Sequence, residues 1–157
     1  MKILRKVADF IVAFILTAAA STMIVSIFLQ VTFRFILHSP LYWTEELSRY
    51  SFVYIVFVGA AWAGKERMHL GVDYFTSKLP GRLEKRLKII MDILIMLFSA
   101  AIVYAGFQVV PVNFGQLSPA LNIPMGAVYL AIPVGFLLLF IYYFEHFIND
   151  VKNLLQK

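Results

Sequence analysis

The sequence predicts an all-α integral membrane protein with four transmembrane helices and with both termini in the cytoplasm. Hydrophobic residues make up 61% of the 157 residues and charged residues only 15%, whereas soluble domains are roughly half apolar and about a quarter charged. The mean hydropathy is +0.81. Cysteine is absent, which excludes disulfides and thiolate metal sites. We expect a single membrane domain over residues 1–157.

Three segments are long and apolar enough to span a membrane without help. A hydrocarbon core of roughly 30 Å needs about 20 predominantly apolar residues in a helix. The segments are residues 10–33, 89–110 and 125–144. They are predicted to be the first, third and fourth spans.

The second predicted span, residues 44–64, reaches full length only if it includes charged residues. Its uncharged part, Tyr50 to Gly64, has 15 residues, which is about 22 Å of helix. Beginning the helix at Thr44 gives about 31 Å and brings Glu45, Glu46 and Arg49 to the membrane edge. A re-entrant half-helix is the alternative, but the basic connector that follows, residues 65–88, favours a complete crossing.

Lysine and arginine predict the orientation, because cytoplasmic loops of membrane proteins are enriched in them. Twelve lie before the first span, in the connector 65–88 or after the fourth span, against two, Arg34 and Arg49, on the other side. Both termini are therefore predicted to be cytoplasmic. The start of the chain also resembles a cleavable signal peptide, and cleavage would leave three spans. The apolar run continues past the possible cleavage site to Leu29, which favours retention of this segment as the first span.

The charged start of the second span lies on the same helix face as a set of small residues. Glu45 is four residues before Arg49 and Glu46 is three before it, so both carboxylates can reach the guanidinium. Small residues let another membrane helix approach closely. The small residues that lie near Arg49 on a helical wheel, or beside that face, are Gly59, Ala60 and Ala63.

Two interpretations of these charges stay open. In the first, the side chains extend to the outer lipid headgroups beside Trp43. In the second, they hold a neighbouring helix or a partner subunit, because an ionisable side chain within a span is costly unless it faces protein or water. Arg34, just after the first span and on the same side, is a further candidate partner for Glu45 or Glu46.

Six short motifs follow one another along the chain. They are Arg34, Trp43-Thr44-Glu45-Glu46-Leu47-Ser48-Arg49, Gly59-Ala60, His69-Leu70-Gly71-Val72-Asp73, SPALNIP (Ser118 to Pro124) and AIPVG (Ala131 to Gly135). Together they resemble the signature of the small membrane subunit, often called Q, of tripartite ATP-independent periplasmic (TRAP) transporters. The resemblance covers nearly the whole chain and is densest between Arg34 and Asp73.

The resemblance implies an accessory scaffold subunit in a bacterial inner membrane, separate from the pore. A large multi-span permease subunit is then expected to carry the substrate and sodium sites. A soluble periplasmic binding protein is expected to deliver an organic acid, such as a dicarboxylate, a sialic acid or a sugar acid. This chain is expected to need no cofactor of its own.

The family's best-marked positions match charged residues of this chain. A structural or interface role carries over to Arg34, Glu45, Glu46 and Arg49. His69 and Asp73 match the cytoplasmic end of the motif, where an ion pair at the headgroup boundary explains them equally well.

Other classes of protein fit the sequence less well. No nucleophile, base and oxyanion group converge, so we expect no enzyme, and the histidines lie at span ends, which argues against a haem. The basic residues flank apolar segments, which indicates membrane lipids and not nucleic acid. Two alternatives stay open: a self-sufficient proton-coupled four-span exporter, with Asp92 as the coupling residue, and a membrane anchor subunit of another complex.

Overall fold

The computed structural model describes residues 2–66 and 81–155. Within these ranges every regular element is a helix and none is a strand, and this confirms the all-α prediction. The helices are α1 (Lys2–Phe35), α2 (Tyr42–Lys65), α3 (Gly81–Asn113), α4 (Met125–Tyr129) and α5 (Ala131–Leu155). The loop between α3 and α4 contains an isolated bridge between Leu117 and Pro124.

Three stretches of the described chain are long and apolar enough to cross a membrane. They are Arg5–Phe35, Leu83–Asn113 and Met125–Lys152, and each contains one of the predicted spans. α2 is not among them, although its 24 residues extend for about 36 Å, because the charged residues in its first two turns lower its hydropathy.

The four long helices pack side by side in the order α1, α2, α5, α3. α5 packs along α2 on one side and along α3 on the other. Within the described residues α1 and α3 do not touch, so each is an outer helix with one wide apolar face exposed. The exposed side chains on these faces include Phe10, Phe14, Phe28, Leu97 and Phe107.

The hydrophobic core lies where α1, α2 and α5 meet. Val12, Val58 and Ala61 are fully buried there, and Leu138 and Tyr142 are nearly so. Because α2 lies between its two neighbours, its position sets the arrangement of the row.

Two glycines allow close approaches between α5 and its two neighbours, α2 and α3. A Cβ atom at Gly135 of α5 would lie 2.5 Å from the carbonyl oxygen of Phe57 on α2. A Cβ atom at Gly106 of α3 would lie 2.9 Å from Cβ of Pro133 on α5. Glycine lets helix backbones come this close in a membrane protein, so these two contacts fix the spacing of α2, α5 and α3.

Polar side chains join α1, α2 and α5 where the start of α1 meets the end of α2. Lys65, at the end of α2, lies 3.2 Å from Asp9 of α1. The Tyr142 hydroxyl of α5 donates a hydrogen bond to the same Asp9 carboxylate at 2.9 Å, and Arg5 pairs with Glu145 at 3.4 Å. The start of α1, the end of α2 and the later part of α5 therefore lie at the same end of the molecule.

We predict that Gly135→Ala lowers the free energy of unfolding by about 1–3 kcal/mol, because the added methyl group overpacks the contact with the Phe57 backbone. Gly59→Ala is the matched control, since the nearest heavy atom to its Cβ, on Leu16, is 3.9 Å away. The control should be neutral or slightly stabilising, because alanine favours a helix over glycine. Thermal unfolding in detergent, followed by circular dichroism, compares the two. Equal unfolding temperatures for both variants would contradict the proposed close contact.

Candidate functional site

Glu46, on the second turn of α2, is buried and bonded to the loop between α3 and α4. Its side chain is only 7% exposed. One carboxylate oxygen accepts hydrogen bonds from the backbone N–H groups of Ala120, at 3.1 Å, and Leu121, at 2.7 Å. The other accepts a hydrogen bond from the Tyr50 hydroxyl at 2.9 Å. Three donors surround this carboxylate, an arrangement that suits its ionised form.

The loop is folded so that two consecutive N–H groups point at Glu46. Ser118 is buried, its N–H donates to the carbonyl of Ile123 at 2.9 Å, and its carbonyl accepts from Asn122 at 3.1 Å. Asn122 has a φ of 54°, a left-handed conformation that asparagine tolerates better than most residues. Successive N–H groups of such a turn form a concave anion site, and Glu46 fills it.

A second hydrogen bond ties α2 to the same region. The Tyr54 hydroxyl, two turns after Glu46, donates to the carbonyl oxygen of Ala127 in α4 at 2.6 Å. The charge of Glu46 itself is tolerated in a buried position because hydrogen bonds replace its hydration. Glu46 and Tyr54 together hold the segment between α3 and α5 against α2.

Glu45, the neighbour of Glu46, points away from this loop. It pairs with Arg49 at 2.8 Å, and the two side chains are 59% and 65% exposed. Within the described residues the carboxylate bonded to Arg49 is that of Glu45, whereas Glu46 bonds the loop. The two acids, which the sequence left equivalent, therefore have different surroundings.

The Glu45–Arg49 pair begins an exposed face of α2, which we call the outer stripe. The outer stripe consists of Glu45, Arg49, Phe52, Val56 and Ala60. Ala63 is half-buried at its edge. The predicted flanking glycine, Gly59, faces Leu16 of α1 instead. The chain thus exposes one charged pair followed by apolar and small side chains on a single helix face.

Arg34 lies near Glu45 without bonding to it. Both line a cavity of about 330 Å³, the α1–α2 cavity, which is bounded by Gln30, Arg34, Pro40, Leu41, Tyr42 and Glu45. Among the described residues, no carboxylate lies within 4 Å of the Arg34 guanidinium. Trp43, at the start of α2, is 37% exposed. His69 and Asp73 lie outside the described residues.

Comparison with known proteins identifies the family to which these residues belong. A family model for the DctQ component of tripartite ATP-independent periplasmic transporters matches residues 23–153. The chain belongs to the DctQ family of TRAP transporters. This confirms the resemblance seen in the sequence motifs, and it makes the chain a small permease subunit and a membrane component.

Three relatives illustrate the range of the DctQ match. The sialic acid TRAP transporter small permease protein SiaQ of Vibrio cholerae is 28% identical over 155 residues, which are 99% of this chain and 90% of SiaQ. A putative TRAP transporter small permease protein of Haemophilus influenzae is 31% identical over 109 residues, 69% of this chain and 68% of that protein. The isethionate TRAP transporter permease protein DctMQ of Oleidesulfovibrio alaskensis is 31% identical over 96 residues, which are 60% of this chain but 15% of DctMQ.

Sequence reasoning missed the partners of Glu46 in this DctQ chain. They are the backbone N–H groups of Ala120 and Leu121. Every residue except proline has such a group, so residue identity does not show directly which ones bind Glu46. The signal that could have found them is the SPALNIP motif, Ser118 to Pro124, which spans the turn. Its buried serine and its left-handed asparagine are residue types typical of tight turns.

We predict that Glu46→Ala exposes the amides of Ala120 and Leu121, because each loses a hydrogen bond to a charged acceptor, worth about 1.5–3 kcal/mol. Hydrogen exchange at these two amides should accelerate by about tenfold or more. Glu45→Ala is the matched control and should leave both rates unchanged. Hydrogen–deuterium exchange read out by mass spectrometry on the purified chain makes the comparison. Wild-type protection of the loop in Glu46→Ala would show that Glu46 does not hold it.

Proposed function

We propose that this chain is the scaffold subunit of a sodium-coupled TRAP transporter that imports an organic acid. Its proposed partners are a large permease subunit, which carries the substrate and sodium sites, and a periplasmic binding protein. One observation carries the proposal. In DctMQ a region similar to this chain is a small part of one long permease protein. We propose that a counterpart of the rest of DctMQ is the large partner subunit of this chain.

The proposed substrate class follows from the names of the relatives. SiaQ belongs to a sialic acid transporter and DctMQ to an isethionate transporter. Sialic acid is a carboxylic acid and isethionate is a sulfonate, so both relatives serve organic anions. The proposal for this chain is therefore an organic acid, with its recognition assigned to the partner subunits.

The proposed topology has four spans and cytoplasmic termini, with α2 as the second span. α2 is about 36 Å long and packs along both α1 and α5, as a full crossing requires. The contacts of Asp9 with Lys65 and of Arg5 with Glu145 bring the start of α1, the end of α2 and the later part of α5 together. An even number of crossings places these three segments on one side, and their basic residues favour the cytoplasm.

The outer stripe of α2 is the proposed docking face for the large subunit. Glu46 is turned inward and bonded, whereas Arg49 and Glu45 are exposed as a pair. Val56 and Ala60 continue this face with small side chains, which favour close helix packing in a membrane. A salt bridge next to such a stripe can set the orientation of a partner, because a charge on the partner is repelled by the member of the pair with the same sign and attracted by the other.

We predict that Ala60→Phe weakens binding of the large permease subunit by about tenfold, because overpacking a helix contact costs about 1–3 kcal/mol. Ala100→Phe is the matched control on the exposed face of α3 and should leave the complex intact. Co-purification of the two subunits through a tag on the large subunit gives the readout. Equal recovery of both variants would place the docking face elsewhere.

We also predict that the chain alone transports nothing when it is reconstituted into proteoliposomes. Uptake of an organic acid should require the large permease subunit, the binding protein and an inward sodium gradient. The measurement is uptake of radiolabelled substrate with each component omitted in turn. Uptake by this chain alone, under a proton or a sodium gradient, would contradict the scaffold role and favour a self-sufficient transporter.

A further inference from the structure

The α1–α2 cavity has a chemistry that the proposed scaffold role does not use. α1 contributes Gln30 and Arg34 to its wall, the connection to α2 contributes Pro40 and Leu41, and α2 contributes Tyr42 and Glu45. The cavity thus combines a guanidinium, an amide and a carboxylate in a space of about 330 Å³. A cavity with both signs of charge suits a ligand that also carries both.

Arg34 and Glu45 differ in the hydrogen-bonding groups that they have available for a ligand. The Arg34 guanidinium has five N–H donors and, within the described residues, no carboxylate within 4 Å. Arginine binds phosphate well, because its planar donors match the oxygens of the anion. Glu45 uses one carboxylate oxygen for Arg49, and an ionised carboxylate has further acceptor positions. Arg34 therefore fits a phosphate, and Glu45 fits a donor group carried by the same ligand.

Exposed apolar side chains that directly follow Arg34 in the chain indicate that the ligand is a lipid. Three consecutive side chains, at the end of α1 and the start of the connection, are more than half exposed: Phe35 at 67%, Ile36 at 71% and Leu37 at 54%. Tyr42, which lines the cavity, is 77% exposed. Aromatic and apolar side chains next to an arginine at the end of a span are typical of the interface between headgroups and hydrocarbon. A soluble ligand would leave these exposed apolar side chains without a partner.

We infer that the α1–α2 cavity binds the headgroup of a phospholipid that has a phosphate and a primary ammonium, as in phosphatidylethanolamine. Arg34 and Gln30 donate hydrogen bonds to the phosphate, and Glu45 accepts one from the ammonium. The exposed side chains from Phe35 to Leu37 contact the glycerol and the first part of the acyl chains. The proposed ligand is distinct from the transported substrate, and Glu45 belongs both to this cavity and to the outer stripe.

The test is native mass spectrometry of the delipidated full chain, titrated with phosphatidylethanolamine, phosphatidylcholine or phosphatidylglycerol. Wild type should bind phosphatidylethanolamine most tightly, because the choline group lacks N–H donors and the glycerol group lacks the positive charge. Arg34→Gln should weaken this binding by about tenfold, the effect of one charge-assisted hydrogen bond. Glu45→Gln should remove the preference over phosphatidylcholine. Arg86→Gln, an exposed arginine on α3, is the matched control and should bind as wild type does.

Three results would overturn the inference. The first is equal binding of phosphatidylethanolamine by wild type and Arg34→Gln, in samples with equal unfolding temperatures. The second is displacement of the lipid by an excess of soluble glycerophosphoethanolamine, which would assign the cavity to a free phosphate ester. The third is loss of the large subunit from Arg34→Gln with unchanged lipid binding, which would make the cavity part of the subunit interface.

Discussion

The hydrogen bonds between Glu46 and the amides of Ala120 and Leu121 are the constraint on which the rest of the arrangement depends. They hold the loop before α4 against α2, and so set how α5 and α3 follow in the row. The end of α2 is fixed by a separate contact, the ion pair of Lys65 with Asp9. A buried charge is costly unless hydrogen bonds replace its hydration, and hydrogen bonds to a charged group contribute about 1.5–3 kcal/mol each. The charged start of α2 is therefore stable because one of its acids is enclosed by donors.

The two neighbouring acids of α2 have different roles. Glu46 has a structural role, and Glu45 belongs to the proposed docking face. Consecutive residues of a helix are separated by about 100°, so when Glu46 faces the loop, Glu45 is directed to the surface with Arg49. The outer stripe that begins at this pair is exposed in the described chain, while the flanking glycine Gly59 packs on α1. A scaffold subunit needs this division, because its own fold has to be complete before a partner binds. The docking face can then be changed without loss of the fold, and the fold can be weakened without change to the docking face.

Much of this architecture could be predicted from the sequence, because it depends on length and hydropathy. The three long apolar helices and the family could both be read from the sequence. The different surroundings of Glu45 and Glu46 could not be predicted, because a helical wheel gives relative angles and not the direction in which a neighbour lies. The order of the helices, α1, α2, α5, α3, depends on close approaches at Gly106 and Gly135, which have no local signature. Arg34 was a candidate partner for Glu45 or Glu46, and the structure places it with Glu45 in the lining of one cavity without an ion pair.

α2 is proposed to use one face to complete the fold and the opposite face to bind the large subunit. Electron paramagnetic resonance tests it most directly, since the chain has no cysteine and single cysteines can carry a nitroxide label at chosen positions. Labels at Phe52, Val56 and Ala60 should be mobile in the isolated chain and should become immobilised when the large subunit is added. The account would be contradicted if these labels kept their mobility while labels on the exposed faces of α1 or α3 lost theirs.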